Sequence, residues 1–270
     1  MTTPLGPMSL VTGAASGIGR RHVAARVSRG HRVVATDLRE SALADAARQE
    51  RWPSCVVLQT LDVRDAGQWE TVVAEAVTSG PGLDVLWNVA GYLKPGRVQV
   101  LAAEDVDLHF DVNVKGVIHG TRIAARYMVQ QGRGHIINIA SIAALAPVPG
   151  LSLYSASKYA VRGFSLAAAV DLAPYGVAVS TVCPDAVETP MLDLQRGDDD
   201  AALTFSGTRP LTVDEVVADL TGPVLEERPL QWSIPRSRAV LARLADTFPA
   251  TSRFIDPLLR RIGRANQGRH

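Results

Sequence analysis

The sequence predicts a doubly wound α/β fold, a single-domain parallel sheet with helices on both faces. Three observations point there. Short β-rich runs alternate with longer helical stretches along the 270 residues, as successive β-α-β crossovers require. The runs are almost continuously apolar, as expected of strands covered on both faces. A three-glycine turn separates the first run from the first helical stretch, where a parallel α/β sheet binds phosphate.

In chain order, MSLVT (8–12) leads through the glycine turn into a helix over 17–29. HRVVATD (31–37) precedes a helix over 40–50, CVVLQTLD (55–62) one over 65–79, and LDVLWNVA (83–90) a long one over 103–131. HIINIAS (135–141) precedes a second long helix over 154–174, and VAVSTVC (177–183) closes the series. Each helix has suitable length, apolar spacing and few breakers. Over 189–210 the periodicity fails, and the composition turns to Asp, Gly, Leu and Phe. That change predicts a mobile insert over the strand ends, a substrate lid. Thr212 and Glu215 have capping-box spacing and start another helix, and PLQWSI (229–234) reads as a last strand.

Composition bounds the function. With 47% hydrophobic and 20% charged residues the chain suits one globular domain. We divide it into a dinucleotide-binding catalytic domain over 1–235 and a basic C-terminal extension of the same domain over 236–270. The net charge of +1 gives no reason to expect nucleic acid. The extension holds eight Arg and two Asp. It reads either as a solvated helix with a fraying tail or as an element that docks on an acidic partner or an anionic membrane surface. Cys55 and Cys183 lack CxxC spacing and the six His lack metal-ligand spacing, so no disulfide and no catalytic metal are expected. The N-terminus does not resemble a signal peptide, and the uncharged run over 136–157 is interrupted by Asn138, Pro147 and Pro149. A cytoplasmic location is expected.

The nucleotide end is carried by Thr12 and the turn containing Gly13, Ser16, Gly17, Ile18 and Gly19. Glycines there let a pyrophosphate approach backbone amides at the start of a helix. Asp37 ends the second strand, 18 residues beyond Gly19, where a carboxylate accepts both hydroxyl protons of an adenosine ribose and opposes a 2′-phosphate. Asp62 and Val63 close the third strand; they read as adenine contacts or as simple turn formers.

Ser141 ends the fifth strand, and Tyr154 and Lys158 follow at i, i+4 spacing on one helix face. A free phenol titrates near 10, and a neighbouring ammonium favours its ionised form. At about 4 Å and an effective dielectric of about 20 the attraction is roughly 4 kcal/mol, which predicts a lowered Tyr154 pKa. Ser141 would polarise the reacting oxygen. The chain contains only three Lys against 25 Arg, yet this position is Lys, whose compact ammonium can give up a proton where Arg cannot.

Together these residues resemble the short-chain dehydrogenase/reductase family, with its TGxxxGxG turn, NAG stretch, Ser and YxxxK in order over about residues 8–190. The resemblance implies an NAD(H)-dependent oxidoreductase interconverting a secondary alcohol and a ketone, with Tyr154 as acid/base. It implies that Asn88, Ala90 and Gly91 lie beside the cofactor and that Lys158 also binds the nicotinamide ribose. Asn113 corresponds to the family's fourth catalytic residue, which holds a water that links the Lys to solvent. Pro184, Val187 and Thr189 correspond to the nicotinamide carboxamide contacts. It also implies a homodimer or homotetramer built on the two long helices. Three features depart from the pattern: Val89 where the family repeats Asn, Asp185 where it has Gly after Pro184, and the basic ending with Pro249 and Pro257. Leu145, Val148, Leu151, Met191, Leu192, Leu203 and Phe205 favour a lipophilic substrate, or else pack on one another beneath the lid. A nucleotide-binding scaffold or sensor with the same fold and no turnover is the alternative reading.

Overall fold

The structure, a computed structural model, describes residues 6–267. Seven strands form one parallel sheet in the order β3-β2-β1-β4-β5-β6-β7. They are β1 (Met8–Thr12), β2 (Arg32–Asp37), β3 (Val56–Thr60), β4 (Val85–Asn88), β5 (Gly134–Ile139), β6 (Val177–Pro184) and β7 (Gln231–Ile234). The doubly wound prediction holds, and the last strand pairs with β6 as expected. Strand order reverses between β1 and β4, which opens a crevice at the carboxyl ends of the strands.

The strands are apolar on both sides because both faces are covered. Leu10, Leu86 and Ile136 pack under α3 (Ala66–Thr78), α5 (Gly116–Gln131) and α6 (Ser152–Leu172), together with Trp69, Met128 and Ala169. Their neighbours Val11, Trp87 and Ile137 point the other way, into a core with Val23, Leu43 and Leu220 from α1 (Gly17–Val27), α2 (Glu40–Glu50) and α8 (Val213–Thr221). The edge strand β3 departs from this pattern: Val57 and Leu58, which point to opposite faces, are both exposed, so the helices leave both faces partly uncovered there.

Local signals set the helix starts. Asp65 caps α3 by accepting from the amides of Gly67 and Gln68, and Thr212 and Glu215 close the expected capping box on α8. The stretch expected as one helix over 103–131 contains α4 (Ala103–Leu108), a π-helical turn (His109–Lys115) and α5 without a break.

The 189–210 insert is more structured than its lack of periodicity suggests. It contains α7 (Pro190–Asp193) and a 3-10 helix (Asp199–Phe205), with Ala201, Ala202, Leu203 and Phe205 buried. After α9 (Pro223–Glu227) and β7, the basic segment forms α10 (Arg236–Thr247) and α11 (Ser252–Gln267). Helix α11 lies across the insert. Asn266 Nδ2 donates to the carbonyls of Phe205 and Gly207 at 3.0 and 3.1 Å, and Gln267 Nε2 to that of Asp198 at 3.0 Å. The end of α11 is thus tied to the insert, while most described side chains of α10 and α11 are exposed. The tail end at 268–270 lies outside the described residues. No helix among the described residues is long and apolar enough to cross a membrane.

Candidate active site

A cavity of about 1000 Å³ runs along the carboxyl ends of the strands. One end is built by the turn between β1 and α1. Gly13 and Gly17 there adopt φ of 68° and 49°, and a Cβ on Gly17 would lie 3.0 Å from the Thr189 methyl. A side chain at Gly17 would thus be strained and would press on the loop after β6. Ser16 makes no side-chain cap, so the amides that open α1 are left to the cavity that Gly17, Ile18 and Gly19 line. These features fit a dinucleotide: a backbone-lined cradle at a positive helix end, with room for a pyrophosphate.

Asp37 lines the same end. Its carboxylate accepts from the amides of Ala15 and Arg39, each at 3.1 Å, which fixes it against the glycine turn. Asp62 also lines the cavity, but its carboxylate is held by Arg64 at 2.6 Å and lies below its ordinary pKa because of that hydrogen bond. Val63 and the flanking Arg39 and Arg64 complete this wall.

The opposite half holds Ser141, Tyr154 and Lys158, all lining the cavity. The Ser141 hydroxyl accepts from the Ala143 amide at 3.1 Å and hydrogen-bonds the Tyr154 phenol. Lys158 Nζ donates to the Ile139 carbonyl at 2.9 Å and lies 5.5 Å from the centre of the Tyr154 ring. The expected lowering of the phenol pKa is not found. Burial pushes Tyr154 up to about 12 despite the Ser141 hydrogen bond, and burial brings Lys158 down to about 8. Desolvation dominates both shifts because both groups are enclosed.

Asn113 is buried in the π-helical turn and does not line the cavity. Its Oδ1 accepts from the Tyr92 amide at 2.7 Å, and its Nδ2 donates to the Tyr92 carbonyl and to Ser157 Oγ, each at 2.9 Å. Ser157 in turn donates to the Tyr154 carbonyl at 2.7 Å. Asn113 therefore ties the loop after β4 to the first turns of α6. The extra residue in that helical turn marks where the side chain is drawn across.

Ala90, Gly91, Pro184, Val187 and Thr189 line the cavity, but Asn88 does not. Its amide donates to Asn138 Oδ1 at 2.8 Å, within a buried polar network that includes Thr121 and Ser165. The Asn88 side chain thus bonds β4 to β5. The segment after it is set by Thr12, whose hydroxyl accepts from the amides of Val89 and Ala90 at 3.0 Å each. Val89 is partly buried, packing against the cluster that contains Val23 of α1 and lining the cavity.

Asp185, the second departure, forms a partly buried ion pair with Arg238 at the start of α10 (Nε–Oδ2 2.8 Å), and Arg238 also donates to Ser206 Oγ at 3.3 Å. Sequence reasoning missed Arg238. The signal available was an unmatched carboxylate after Pro184 and a basic helix start. Among the expected apolar residues, Val148, Leu151, Met191, Leu192 and Leu203 line the substrate end, joined by Leu241, Ala242, Ile255 and Leu259 from α10 and α11. Leu145 and Phe205 are buried outside it.

The chain matches the family model described as short chain dehydrogenase over residues 8–200. It is 39% identical over 196 residues to a 3-alpha-(or 20-beta)-hydroxysteroid dehydrogenase of Mycobacterium tuberculosis, covering 70% of this chain and 72% of that one. A 2-(R)-hydroxypropyl-CoM dehydrogenase of Xanthobacter autotrophicus is 36% identical over 189 residues, 68% of this chain and 76% of that one. The crystal structure of a short chain dehydrogenase/reductase from Burkholderia phymatum in complex with NAD superposes with a TM-score of 0.80 at 29% identity, covering 92% of this chain and 95% of that one.

Proposed function

The chain belongs to the short-chain dehydrogenase/reductase family, and from that premise we propose that it is an NAD(H)-dependent oxidoreductase interconverting a secondary alcohol and a ketone on a lipophilic molecule. The observation that carries this reading is one cavity lined by the glycine turn and Asp37 at one end and by Ser141, Tyr154 and Lys158 at the other. Gly13, Gly17, Ile18 and Gly19 would hold the pyrophosphate, and Asp37 the adenosine ribose in preference to a 2′-phosphate. When bound, the nicotinamide accepts or supplies the hydride.

The protein's own part is proton handling and orientation. Ser141 hydrogen-bonds the substrate oxygen and the phenol, which fixes the distance over which the proton moves. With its pKa near 12, Tyr154 carries its proton at neutral pH, the state required to protonate a carbonyl oxygen. In the oxidation direction the same phenol must first lose that proton, and a positive charge entering the closed site favours this. Lys158, brought to about 8, titrates close to neutrality and can pass a proton beneath the phenol. Asn113 positions Tyr154 through Ser157. The apolar substrate end, and relatives named for steroid and cyclopentanol substrates, support a lipophilic alcohol or ketone.

The test is a titration of the protein with NADH and with NADPH followed by fluorescence, then a panel of secondary alcohols and ketones with the better-bound cofactor. Preference for NADH and turnover of a cyclic or long-chain member are expected. Binding of neither cofactor would overturn the assignment.

A further inference from the structure

Helix α11 is amphipathic, and although Ile255 and Leu259 reach the cavity, much of its apolar stripe is turned to solvent. The side turned to the protein carries Asp256, Arg260, Gly263 and Gln267, which share a face at i, i+4, i+7 and i+11. Arg260 donates to the Pro149 carbonyl at 3.1 Å. Gly263 lies so close to the insert that a Cβ there would sit 1.8 Å from the Ala202 carbonyl oxygen. The side turned to solvent carries Phe254, Leu258 and Ile262, one turn apart, with Phe254 84% and Leu258 59% exposed. Helices normally bury the apolar stripe and leave the polar one wet.

Helix α10 continues this surface. Its Val240, Leu241 and Leu244 are more than half exposed, while Ala239 and Ala242 face inward. The surface also meets the cavity: Leu241, Ile255 and Leu259 belong both to these helices and to the lining of the substrate end. An exposed apolar patch of this kind marks a binding surface.

Charge selects the occupant. Residues 236–270 carry eight Arg and two Asp. Among the described residues, Arg238, Arg260 and Arg264 are paired with Asp185, Asp256 and Asp199, and Asp246, which accepts from the neutral Tyr159, keeps its charge; against it stand the exposed Arg243 and Arg261. A two-fold contact through this face would set two such basic segments against each other, and like charges at an interface oppose association. An anionic lipid surface attracts the same arginines while its acyl region takes up the aromatic and aliphatic side chains.

We propose that the exposed face of α10 and α11 docks on an anionic phospholipid bilayer, with the mouth of the substrate cavity turned toward the lipid. The protein lies on the surface and does not span it. A lipophilic alcohol or ketone dissolved in the bilayer then reaches the cavity past Leu241 and Ile255 without crossing water. Docking itself does not depend on the proposed chemistry; only this delivery route does.

The experiment is flotation of the full chain with vesicles of phosphatidylcholine alone and of phosphatidylcholine with phosphatidylglycerol. It is repeated with the Phe254→Ser/Leu258→Ser double variant and with Arg261→Glu, each checked by circular dichroism and thermal melting. The wild type is expected to float with the anionic vesicles, more weakly as salt rises. The double variant should lose at least about tenfold in partitioning, since two large apolar side chains no longer enter the lipid, and Arg261→Glu should lose several-fold on anionic vesicles. Failure of the wild type to float with anionic vesicles overturns the proposal. So does equal flotation of the folded double variant, or a dimer in sizing chromatography that the double variant abolishes, which would assign the face to a second copy. Dinucleotide titration of the same samples tests the proposed chemistry separately.

Discussion

Arg238 Nε donates to Asp185 Oδ2 at 2.8 Å, joining the loop after β6 to the first turn of α10. The family resemblance places glycine at the Asp185 position, and the family model ends at residue 200, before Arg238. The carboxylate and its partner thus form one feature: the C-terminal layer is fastened to the cofactor-side loop by an ion pair that a glycine would not make.

Arg238→Ala should release that fastening. A partly buried pair of this kind couples by about 1 kcal/mol, so KM for the substrate should rise about fivefold with little change in dinucleotide affinity. A double-mutant cycle with Asp185→Asn measures the coupling; strictly additive effects would show that the pair contributes nothing.

Tyr154→Phe removes the phenolic proton while keeping the ring in place. Turnover should fall about 10²–10⁴-fold, the usual contribution of a positioned acid/base, and NADH should bind as in the wild type. Steady-state rates and fluorescence titration separate the two effects.

The buried ammonium makes stability pH-dependent with a definite sign. Lys158 is lowered from 10.5 to about 8, so between those values the unfolded chain binds more protons and its contribution to stability rises with pH. Tyr154 is raised from 10 to about 12, so its contribution is present below pH 10 and is lost as pH rises through about 12. Lys158 acts without opposition between about pH 8 and 9, because from about 9 the buried Cys183 thiol, pushed up to about 11 by burial, begins to act in the opposite sense. Urea denaturation across that window should show a slope that Lys158→Met removes.

Asp37→Ser should weaken NADH by about ten- to a hundredfold, the loss of hydrogen bonds to a charged acceptor. NADPH should lose less or gain, because Arg39 and Arg64 remain on the same wall. The ratio of the two dissociation constants is the measurement.

Gly263→Ala should push α11 off the insert, since the added Cβ meets backbone at 1.8 Å. Overpacking of this kind costs about 1–3 kcal/mol, and the expected signs are faster proteolysis within 189–210 and a raised KM, with the melting of the sheet core little changed.

What the sequence by itself determined is whatever depends on neighbours close along the chain. The strands were legible because burial on both faces demands unbroken apolar runs, and the glycine turn because Gly13 and Gly17 need positive φ. Tyr154 and Lys158 were legible because one helical turn separates them. Tertiary structure alone decided the rest. Asn88 has its partner 50 residues away on β5, and Asn113 has its partners on the loop after β4 and on α6. The 189–210 insert has no period of its own because its order comes from donors on α11. The phenol's pKa turned on enclosure: spacing along a helix states which charge is near, but only the packed cavity states how much water has been removed, and here desolvation sets the sign.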